Sequence, residues 1–455
     1  MIAVLIAGLV YWLEIPRVVE ISPPDGVKNV SAGEVIRLTF SHSMDRKSVS
    51  DRLEIEPQIT GKGVWHDNSY VFTPDLPWQN NTKYHIHLAK GVRSNTWFKL
   101  PLTGEIIWSF TIEDPLIAYL HPADGSAQIF TINPTSGEQK QITDISGEVL
   151  DFNVSADGTM IYYSASFYGK GSAIYRLARN SGKSDLLVDC PLVLCRAPQV
   201  SPKSDYLAFE RTPLSQNEPS GKSQVWIAEI LPEGIGTNQN PLPSKPAGNP
   251  NHQTLQPLWS SHGWLAYYDQ TEAVYFIQTP SGEVINRFPS ETGQPGDWDP
   301  SEKSFIFPEF IIAPQSSASL GDLNPIPSSH LLRYYIDNEK TTDLTKMDFL
   351  EDSAPKFSPN GKSLVFARKY LDIARWTPGR QIWIMSLSDE KAVAITDEPH
   401  YNHYDFTWKP DSQQIAYVRF DQTTLTESPE IWLTNLDGSG QQLLVRNGYA
   451  PQWIP

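Results

Sequence analysis

The sequence lacks the short motifs that identify several common catalytic machineries. It has no Gly-x-Ser-x-Gly turn, no His-Glu-x-x-His pair and no Gly-x-x-x-x-Gly-Lys-Ser/Thr loop. These motifs carry the exposed nucleophile of α/β-hydrolases, two zinc ligands on one helix face, and the phosphate cradle of nucleotide-hydrolysing proteins. Nothing in the sequence therefore indicates these three kinds of enzyme.

Basic residues are also few. The 455-residue chain has 36 Lys and Arg against 52 Asp and Glu, a formal net charge of −16, and no basic cluster relieves this excess. Surfaces that bind nucleic acid or anionic lipid need positive charge. We therefore expect no nucleic-acid partner, and membrane contact only through the N-terminal segment.

The chain has two cysteines, Cys190 and Cys195, which lie close together in the stretch DCPLVLC. In an oxidising compartment they could close a small disulfide loop, whereas in a reducing one they would be two ordinary thiols. The surrounding sequence offers no further metal ligands. An exported protein would favour the disulfide.

Charge is absent from the first thirteen residues, which are mostly apolar. As a helix they would reach about 20 Å, short of the roughly 30 Å hydrocarbon core, and no Lys or Arg precedes them as in a complete signal peptide. We interpret residues 1–15 as the distal part of a signal anchor or signal sequence, with a buried apolar strand as the alternative. This predicts an extracytoplasmic protein, membrane-anchored or secreted. No cysteine follows for lipid modification.

A repeated phrase dominates the rest of the chain. An apolar residue is followed by a turn of Ser, Pro, Asp, Asn or Gly, a hydrophobic strand, a gap, and a second strand with a central aromatic residue. A period of roughly 40 to 60 residues in segments rich in β-branched and aromatic residues indicates β-propeller blades, each a four-stranded antiparallel sheet. The residues before the turns are Val154, Val200, Trp259, Trp298, Phe357, Trp408 and Trp453.

The seventh copy predicts how the ring closes. Residues 453–455 end the chain with no strand after them, while residues 116–143 supply the missing strands. We therefore expect an all-β fold in which residues 114–455 form a seven-bladed propeller closed by the C-terminal strand, with six or eight blades as alternatives.

A separate unit is predicted over residues 18–113, where short alternating strands are broken by Pro, Gly and Asn. It contains the phrases Pro-Pro-Asp-Gly at 23–26, Thr-Phe-Ser-His-Ser-Met-Asp at 39–45, Phe-Thr-Pro at 72–74 and Trp-Ser-Phe-Thr-Ile at 108–112. At these residues the unit resembles the bacterial Ig-like domains of cell-surface proteins. The resemblance implies a β-sandwich and a surface location.

The repeats resemble the TolB and dipeptidyl-peptidase type of propeller, also called WD40-like. The residues that carry this resemblance are 357–366 with Ile382-Trp383, and 408–417 with Ile431-Trp432. The resemblance implies the type of blade, and it does not transfer the partners of TolB. A dipeptidyl-peptidase also needs a hydrolase domain after the propeller, so we do not expect a serine peptidase.

Turn chemistry predicts the working face. If the Ser-Pro-Asn-Gly turns join the first two strands of each blade, they all lie on one rim. The opposite rim then carries the longer loops, at 212–223, 311–330 and 369–380. Ligand-binding candidates on or near that rim are Glu351, Asp352, Tyr370, Trp376, His400, Tyr401, His403, Asp405 and Tyr449.

Each of these candidates has a simpler explanation. The carboxylates could be solvated turn residues, the aromatic residues could anchor loops, and residues 397–405 could be a hydrogen-bonded connection. His252, His400 and His403 could instead hold a divalent metal, because imidazole with a nearby carboxylate suits several transition ions.

Two classes of function follow. The first is a non-enzymatic binding or scaffold protein of the bacterial cell envelope, without a cofactor, whose propeller binds a protein or a glycan. The alternative is a propeller enzyme, such as a metal-dependent polysaccharide lyase that uses channel histidines. The sequence does not identify the ligand, the biological process or the oligomeric state.

Overall fold

The computed structural model describes residues 15–455, except 31, 33, 77, 168–170, 217, 231–241, 312–327 and 425. Nearly all of the predicted N-terminal anchor or signal segment, residues 1–15, therefore lies outside the described residues. Within the described part, no helix is long and apolar enough to span a bilayer. The chain divides into two compact units between Pro115 and Leu116, and each is described by itself.

The first unit contains two four-stranded sheets and one short helix. The first sheet has the order β1 (Val18–Ser22), β3 (Ile36–Phe40), β6 (Ser69–Pro74), β5 (Gly61–His66). The second has the order β2 (Val27–Val30), β8 (Ile106–Ile112), β7 (Lys83–Leu88), β4 (Leu53–Glu56). The helix α1 (Arg46–Ser50) begins at Asp45, whose carboxylate accepts from the Lys47 and Ser48 amides.

Alternating strands build the core of this unit. In β3, β7 and β8, buried and exposed side chains alternate, as expected for sheets that cover a core with one face. Both sheets contribute to one apolar cluster. At its centre Trp78 packs edge-on against Tyr84 and Phe110, with ring centroids 4.6 and 5.4 Å apart, and its indole N–H donates to the Glu34 carbonyl at 2.7 Å.

The second unit is a succession of four-stranded antiparallel sheets, so the prediction of an all-β chain is confirmed. In the described residues it forms six hydrogen-bonded sheets, one of which has eight strands. Because a single parallel bridge joins the two halves of that sheet, we number the halves separately, as sheets five and six of seven. Sheet one has the order β11 (Gln139–Gln141), β10 (Gln128–Ile132), β9 (Leu116–His121), β37 (Tyr449–Ile454). Sheet two has the order β12 (Glu148–Val154), β13 (Met160–Phe167), β14 (Gly171–Ala178), β15 (Lys183–Cys190).

Sheets three to five follow the same plan. Sheet three contains β16 (Val193–Val200), β17 (Tyr206–Ser215), β19 (Gln224–Glu229) and β20 (Ser244–Pro246), with β18 (Glu218–Pro219) beside β17. Sheet four contains β21 (Thr254–Trp259), β22 (Leu265–Asp269), β23 (Val274–Gln278) and β24 (Val284–Pro289). Sheet five contains β25 (Asp297–Trp298), β26 (Ser304–Ile311), β27 (Ser328–Tyr335) and β28 (Lys340–Asp343).

Sheets six and seven complete the unit. Sheet six contains β29 (Leu350–Phe357), β30 (Ser363–Tyr370), β31 (Gln381–Ser386) and β32 (Lys391–Ala394). Sheet seven contains β33 (Tyr401–Trp408), β34 (Gln414–Asp421), β35 (Glu430–Asn435) and β36 (Gln442–Arg446). One parallel bridge, Ser329 to Glu351, joins sheets five and six.

The turn chemistry defines two ends in these sheets. In sheet six the Gly361 amide donates to the Ser358 carbonyl at 2.8 Å, and Gly361 has a φ of 66°, which glycine adopts readily. The predicted tight turn between the first two strands is therefore confirmed here. We call this the turn end. The opposite end, which carries the loops between the second and third strands and the connections between sheets, is the loop end.

The first strand of many sheets is interrupted by a β-bulge that the sequence did not predict. The bulge places a non-glycine residue at positive φ in five of the described first strands, with Ala197, Gln256, Ala354, Asp405 and Ala450 at 50 to 58°. Bulge amides then donate to carboxylates of the preceding sheet: Ala197 to Asp151 at 3.1 Å and Gln256 to Glu210 at 2.8 Å. The bulges thus link neighbouring sheets.

The C-terminal strand belongs to a sheet that begins at the start of the unit. β37 pairs antiparallel with β9, and Trp453 and Ile454 lie opposite Ile117 and Leu116. Ile454 is fully buried and Trp453 nearly so. Sheet one is thus built from both ends of the unit.

Candidate functional site

Two segments at the loop end pack against each other: the loop between β30 and β31 and the connection between β32 and β33. The Gly379 amide donates to the Pro399 carbonyl at 2.9 Å, and the Gln381 side chain makes two hydrogen bonds of 2.8 Å with the Glu398 backbone. A Cβ atom at Gly379 would collide with the Tyr401 carbonyl, so this approach requires glycine. The structure therefore brings together two segments that the sequence placed on one rim.

His403 lies inside this junction rather than on its surface. The ring is fully buried; Nδ1 lies 2.7 Å from the Arg380 carbonyl and Nε2 lies 3.1 Å from the Glu398 carboxylate. Because both nitrogens are engaged by protein acceptors, His403 is not available to a ligand or a metal. The sequence-based expectation for this residue is therefore wrong, and His403 instead fixes the connection.

Arg419 stands between two carboxylates in the same region. It is almost fully buried and pairs with Glu398 and Glu430. Its guanidinium also lies over the rings of Tyr401 and Trp432, 4.2 and 3.8 Å from their centroids, where cation–π attraction is favourable. The hydrogen bonds from His403 and Arg419 outweigh burial and lower the pKa of Glu398 to about 2. Tyr401 is thus held in place by a charged cluster.

We expect Glu398 to make the stability of the protein depend on acid. Because its folded pKa is depressed from 4.5 to about 2, its stabilising contribution is complete above about pH 4.5 and is lost as pH falls through about 2. Replacing Glu398 by Gln should lower the free energy of unfolding by roughly 2 kcal/mol near pH 6, and the difference from wild type should narrow near pH 3. Denaturant unfolding at both pH values measures the difference in the free energy of unfolding between the variant and wild type. Glu427→Gln, at an exposed position, is the control. An equal deficit at both pH values would contradict the assignment.

Asp352, another predicted ligand residue, is fully buried. Its carboxylate accepts from Nε and Nη2 of Arg368 at 2.7 and 2.8 Å and from the Thr345 hydroxyl at 2.7 Å. A buried bidentate pair with no free lone pair directed outward cannot contact a partner, so this prediction is also wrong. The neighbouring Glu351 is partly exposed and pairs with Arg380.

Several apolar side chains are exposed at this end. Phe349 and Trp376 have 46% and 54% of their surface exposed. Ile373, Met347 and Phe310 are exposed as well. We call these five residues the apolar patch. Exposed apolar groups gathered in one place mark interaction sites more often than single exposed side chains do.

Backbone hydrogen bonds hold the patch segments side by side. The Leu371 amide donates to the Phe349 carbonyl at 2.8 Å, and the Phe349 amide donates to the Ser328 hydroxyl at 2.9 Å. Ser328 in turn pairs with Ile311, which follows Phe310. The connection before β29, the loop after β30 and the end of β26 thus form one surface.

Basic side chains border the patch. Lys369 Nζ lies 4.7 Å from the Trp376 ring centroid, and Arg375 lies 3.9 Å from that of Tyr370. The two predicted aromatic candidates are therefore at this surface, each covered on one face by a cation. The sequence did not single out Phe310, Met347, Phe349 and Ile373. The one feature that could have identified them is that each is an apolar residue beside a strand end or inside a loop.

The remaining candidates lie elsewhere. His400 is exposed at the connection before β33, and its carbonyl accepts from the Gln422 amide at 2.8 Å. Asp405 sits at the bulge of β33, and Tyr449 begins β37. Burial raises the pKa of Tyr449. These two residues belong to the first strands of their sheets and not to the apolar patch.

The three predicted metal histidines do not come together. His252 lies before sheet four, whereas His400 and His403 belong to sheet seven. Across the described residues, one group with suitable ligand atoms was found: His252, Asp269 and Glu272, whose atoms lie within 4.8 Å of one another. His252 Nδ1 is 2.7 Å from Asp269, and Nε2 is 2.9 Å from the Asn249 amide nitrogen. Hydrogen bonding among protein groups accounts for this arrangement.

Cys190 and Cys195 form a disulfide in the structure. It joins the end of β15 to the start of β16, and both residues are buried. The bond therefore closes the short connection between sheets two and three.

Comparison with known families identifies the first unit. Residues 14–112 match the family described as bacterial Ig-like domain. The first unit is a bacterial Ig-like domain. Curated protein sequences gave no match to the chain.

Solved structures resemble the chain at low sequence identity. TolB from Acinetobacter baumannii is 13% identical over 89% of this chain and 83% of its own, with a TM-score of 0.44. An oligogalacturonate lyase in complex with manganese is 13% identical over 73% of this chain and 85% of its own, with a TM-score of 0.44.

A puromycin hydrolase is similar in fold. It is 10% identical over 72% of this chain and 51% of its own, with a TM-score of 0.51, so the chain matches about half of that protein. At this identity the likeness concerns the fold alone. Successive four-stranded antiparallel sheets with short turns give the second unit an organisation like that of a β-propeller.

Proposed function

We propose that the chain is a non-enzymatic, extracytoplasmic binding protein of the bacterial cell envelope. In this proposal residues 18–113 are an Ig-like spacer, and residues 114–455 are a seven-bladed propeller that β37 closes. The loop end of the propeller presents the apolar patch to a protein partner. The patch is the observation that carries the proposal.

The pairing of β37 with β9 supports the closed ring. When strands from both ends of a propeller complete one shared sheet, the ring has no terminal sheet that lacks a strand. The seven four-stranded sheets would then be the seven blades, and the bulge amides that reach neighbouring carboxylates would join successive blades around the ring.

A protein partner fits the patch better than a glycan does. Binding hot spots are enriched in Trp, Tyr and Arg and sit on rigid, well-packed supports, and the cores of protein interfaces are apolar and poor in charge. Phe349, Ile373 and Trp376 supply the apolar centre, while Arg375 and Lys369 border it. Glycan sites also need unengaged polar groups, and the polar side chains here are largely paired with one another.

Three observations support export. The Cys190–Cys195 disulfide suits an oxidising compartment. The first unit matches the bacterial Ig-like domain family, and the resemblance noted in the sequence implies a surface location. The uncharged residues 1–13 have the composition of part of a signal or anchor segment. We include membrane anchoring through this segment in the proposal.

The double variant Phe349→Ala/Trp376→Ala should abolish partner binding without unfolding the protein. Exposed substitutions usually change stability by less than about 0.5 kcal/mol, whereas a hot-spot aromatic contributes roughly 2 kcal/mol or more to binding. Envelope proteins crosslinked to the full-length chain would first be identified, and binding of the identified partner would then be measured. Val284→Ala/Val393→Ala is the control, with two exposed apolar side chains truncated in the second unit outside the apolar patch. Full binding by the patch variant would reject the proposed face.

A further inference from the structure

A rigid hairpin projects from the Ig-like unit between β7 and β8. The Ser94 amide donates to the Leu100 carbonyl at 2.9 Å, and the Lys99 amide closes the tip by donating to the Thr96 carbonyl at 3.0 Å. The Ser94 and Thr96 hydroxyls also lie 2.8 Å apart. These bonds fix the tip in one conformation.

The tip of this hairpin is aromatic and fully presented to solvent. Trp97 and Phe98 have 94% and 67% of their surface exposed. Neither ring packs against the core of the unit, so a role in core packing does not explain why aromatic residues occupy these two positions. A rigid turn that exposes two adjacent aromatic rings loses little conformational entropy when the rings are buried by something else.

The hairpin lies at the end of the unit where the N-terminal segment arrives. Arg17 makes two hydrogen bonds with Ser41, of 3.0 and 2.9 Å. Two residues later, the Ser43 carbonyl accepts from the Asn95 amide at 2.7 Å, and Met44 bridges to Ser94. The beginning of the described chain, at Arg17, therefore lies at the same end of the unit as the aromatic tip.

This end is also basic, although the whole chain is acidic. Five exposed cations surround the tip and the arriving chain: Arg17, Arg46, Lys47, Arg93 and Lys99. Two acidic residues are also exposed at this end: Asp45, whose carboxylate caps α1, and Asp67, beside the Asn68 carbonyl that accepts from the Phe40 amide. Residues 15–115 carry 11 basic and 12 acidic residues, whereas residues 116–455 carry 25 and 39. The negative charge of the chain is thus concentrated in the second unit.

We propose that the Trp97–Phe98 tip inserts into the interfacial region of an anionic phospholipid bilayer, beside the point where the N-terminal segment enters it. Trp favours the headgroup region because its ring is apolar and its N–H is polar, and nearby Lys and Arg side chains are attracted to an anionic surface. The tip would hold the Ig-like unit against the bilayer in a fixed orientation. This inference rests on the membrane-anchoring part of the proposed function, and it replaces the expectation that the N-terminal segment alone contacts lipid.

The test uses the full-length chain reconstituted with vesicles of phosphatidylcholine, with and without phosphatidylglycerol. Both native cysteines are in the disulfide, so Phe98→Cys can carry a single environment-sensitive fluorophore. Val393→Cys, labelled in the same way at an exposed position of the second unit outside the apolar patch, is the matched control. Lipids with a nitroxide in the headgroup should quench the probe at position 98 at least about two-fold in phosphatidylglycerol vesicles, and less without this lipid. The probe at position 393 should not be quenched.

The other outcomes separate the two proposals. If the chain associates with vesicles while the probe at 98 behaves like that at 393, anchoring stands and the insertion of the tip is rejected. Protection of the probe at 98 only after addition of envelope proteins would assign the tip to a protein partner and also reject the lipid assignment. A chain that does not associate with vesicles would overturn both the anchoring and the inference.

Discussion

Removal of residues 449–455 is expected to cause the largest loss of stability of any short deletion in the second unit. The cut removes β37, and with it the buried side chains of Trp453 and Ile454 and the ladder of hydrogen bonds to β9. Loss of one large buried side chain alone costs about 3 to 5 kcal/mol, and the exposed edge of β9 would invite aggregation. We expect the thermal transition of the second unit to fall by at least about 10 °C or to vanish.

The matched control is a chain that ends at Ile454, because it loses only Pro455 and keeps the entire strand. Thermal unfolding followed by circular dichroism, with light scattering to detect aggregation, compares the two truncations. Similar melting curves would show that β37 does not close the ring.

The second large effect is expected at the buried pair of Asp352 and Arg368. Asp352→Ala leaves the Arg368 guanidinium, which is almost completely buried, without its carboxylate. Breaking a buried ion pair by removing one partner costs about 3 to 5 kcal/mol, because the remaining charge is uncompensated. The Thr345 hydroxyl also loses its acceptor. Chemical denaturation should therefore show a large fall in the free energy of unfolding.

Two further variants make this expectation specific. The double replacement Asp352→Leu/Arg368→Met removes both charges and should recover most of the loss, since an apolar pair can replace a buried ion pair. Asp372→Ala breaks the exposed pair with Arg375 and should change stability by less than about 1 kcal/mol. If the double variant is as unstable as Asp352→Ala, the loss of stability at this site comes from altered side-chain packing rather than from the unpaired charge.

The sequence predicted the fold well because the fold depends on local signals. Alternating apolar residues mark a strand, and a turn such as that at Gly361 marks a hairpin. Both signals span only a few residues of sequence. The bulges at Ala197, Gln256 and Ala354 were not predictable in the same way, because alanine and glutamine carry no preference for positive φ. Their conformation is imposed by the strands on either side.

The candidate site was predicted less well. Sequence placed the loop after β30 and the connection before β33 together, and the structure does so through Gly379 and Pro399. It could not show that His403 and Asp352 face inward, because burial of a polar residue depends on partners from other strands, here Glu398 and Arg368. A polar residue near a loop is therefore as consistent with an internal ion pair as with a ligand contact.

The apolar patch was missed for the opposite reason. Phe349 stands directly before the buried Leu350, and in sequence the two look like one strand. The positive φ of Phe349, 61°, turns its side chain away from the strand pattern. The sequence did not indicate that Trp97 and Phe98 are exposed, because an aromatic residue at a hairpin tip cannot be distinguished in a sequence from one in the core.

The composition of sheet one also has a consequence for biosynthesis. Strands β9, β10 and β11 of this sheet are synthesised first in the second unit, whereas β37 is its last strand. The partner of β9 therefore lies more than 320 residues downstream. The second unit therefore cannot reach its final topology until its whole length has left the ribosome, and in an exported protein until it has crossed the membrane. Such long-range pairing slows folding, and the unpaired edge of β9 is open to aggregation during that interval.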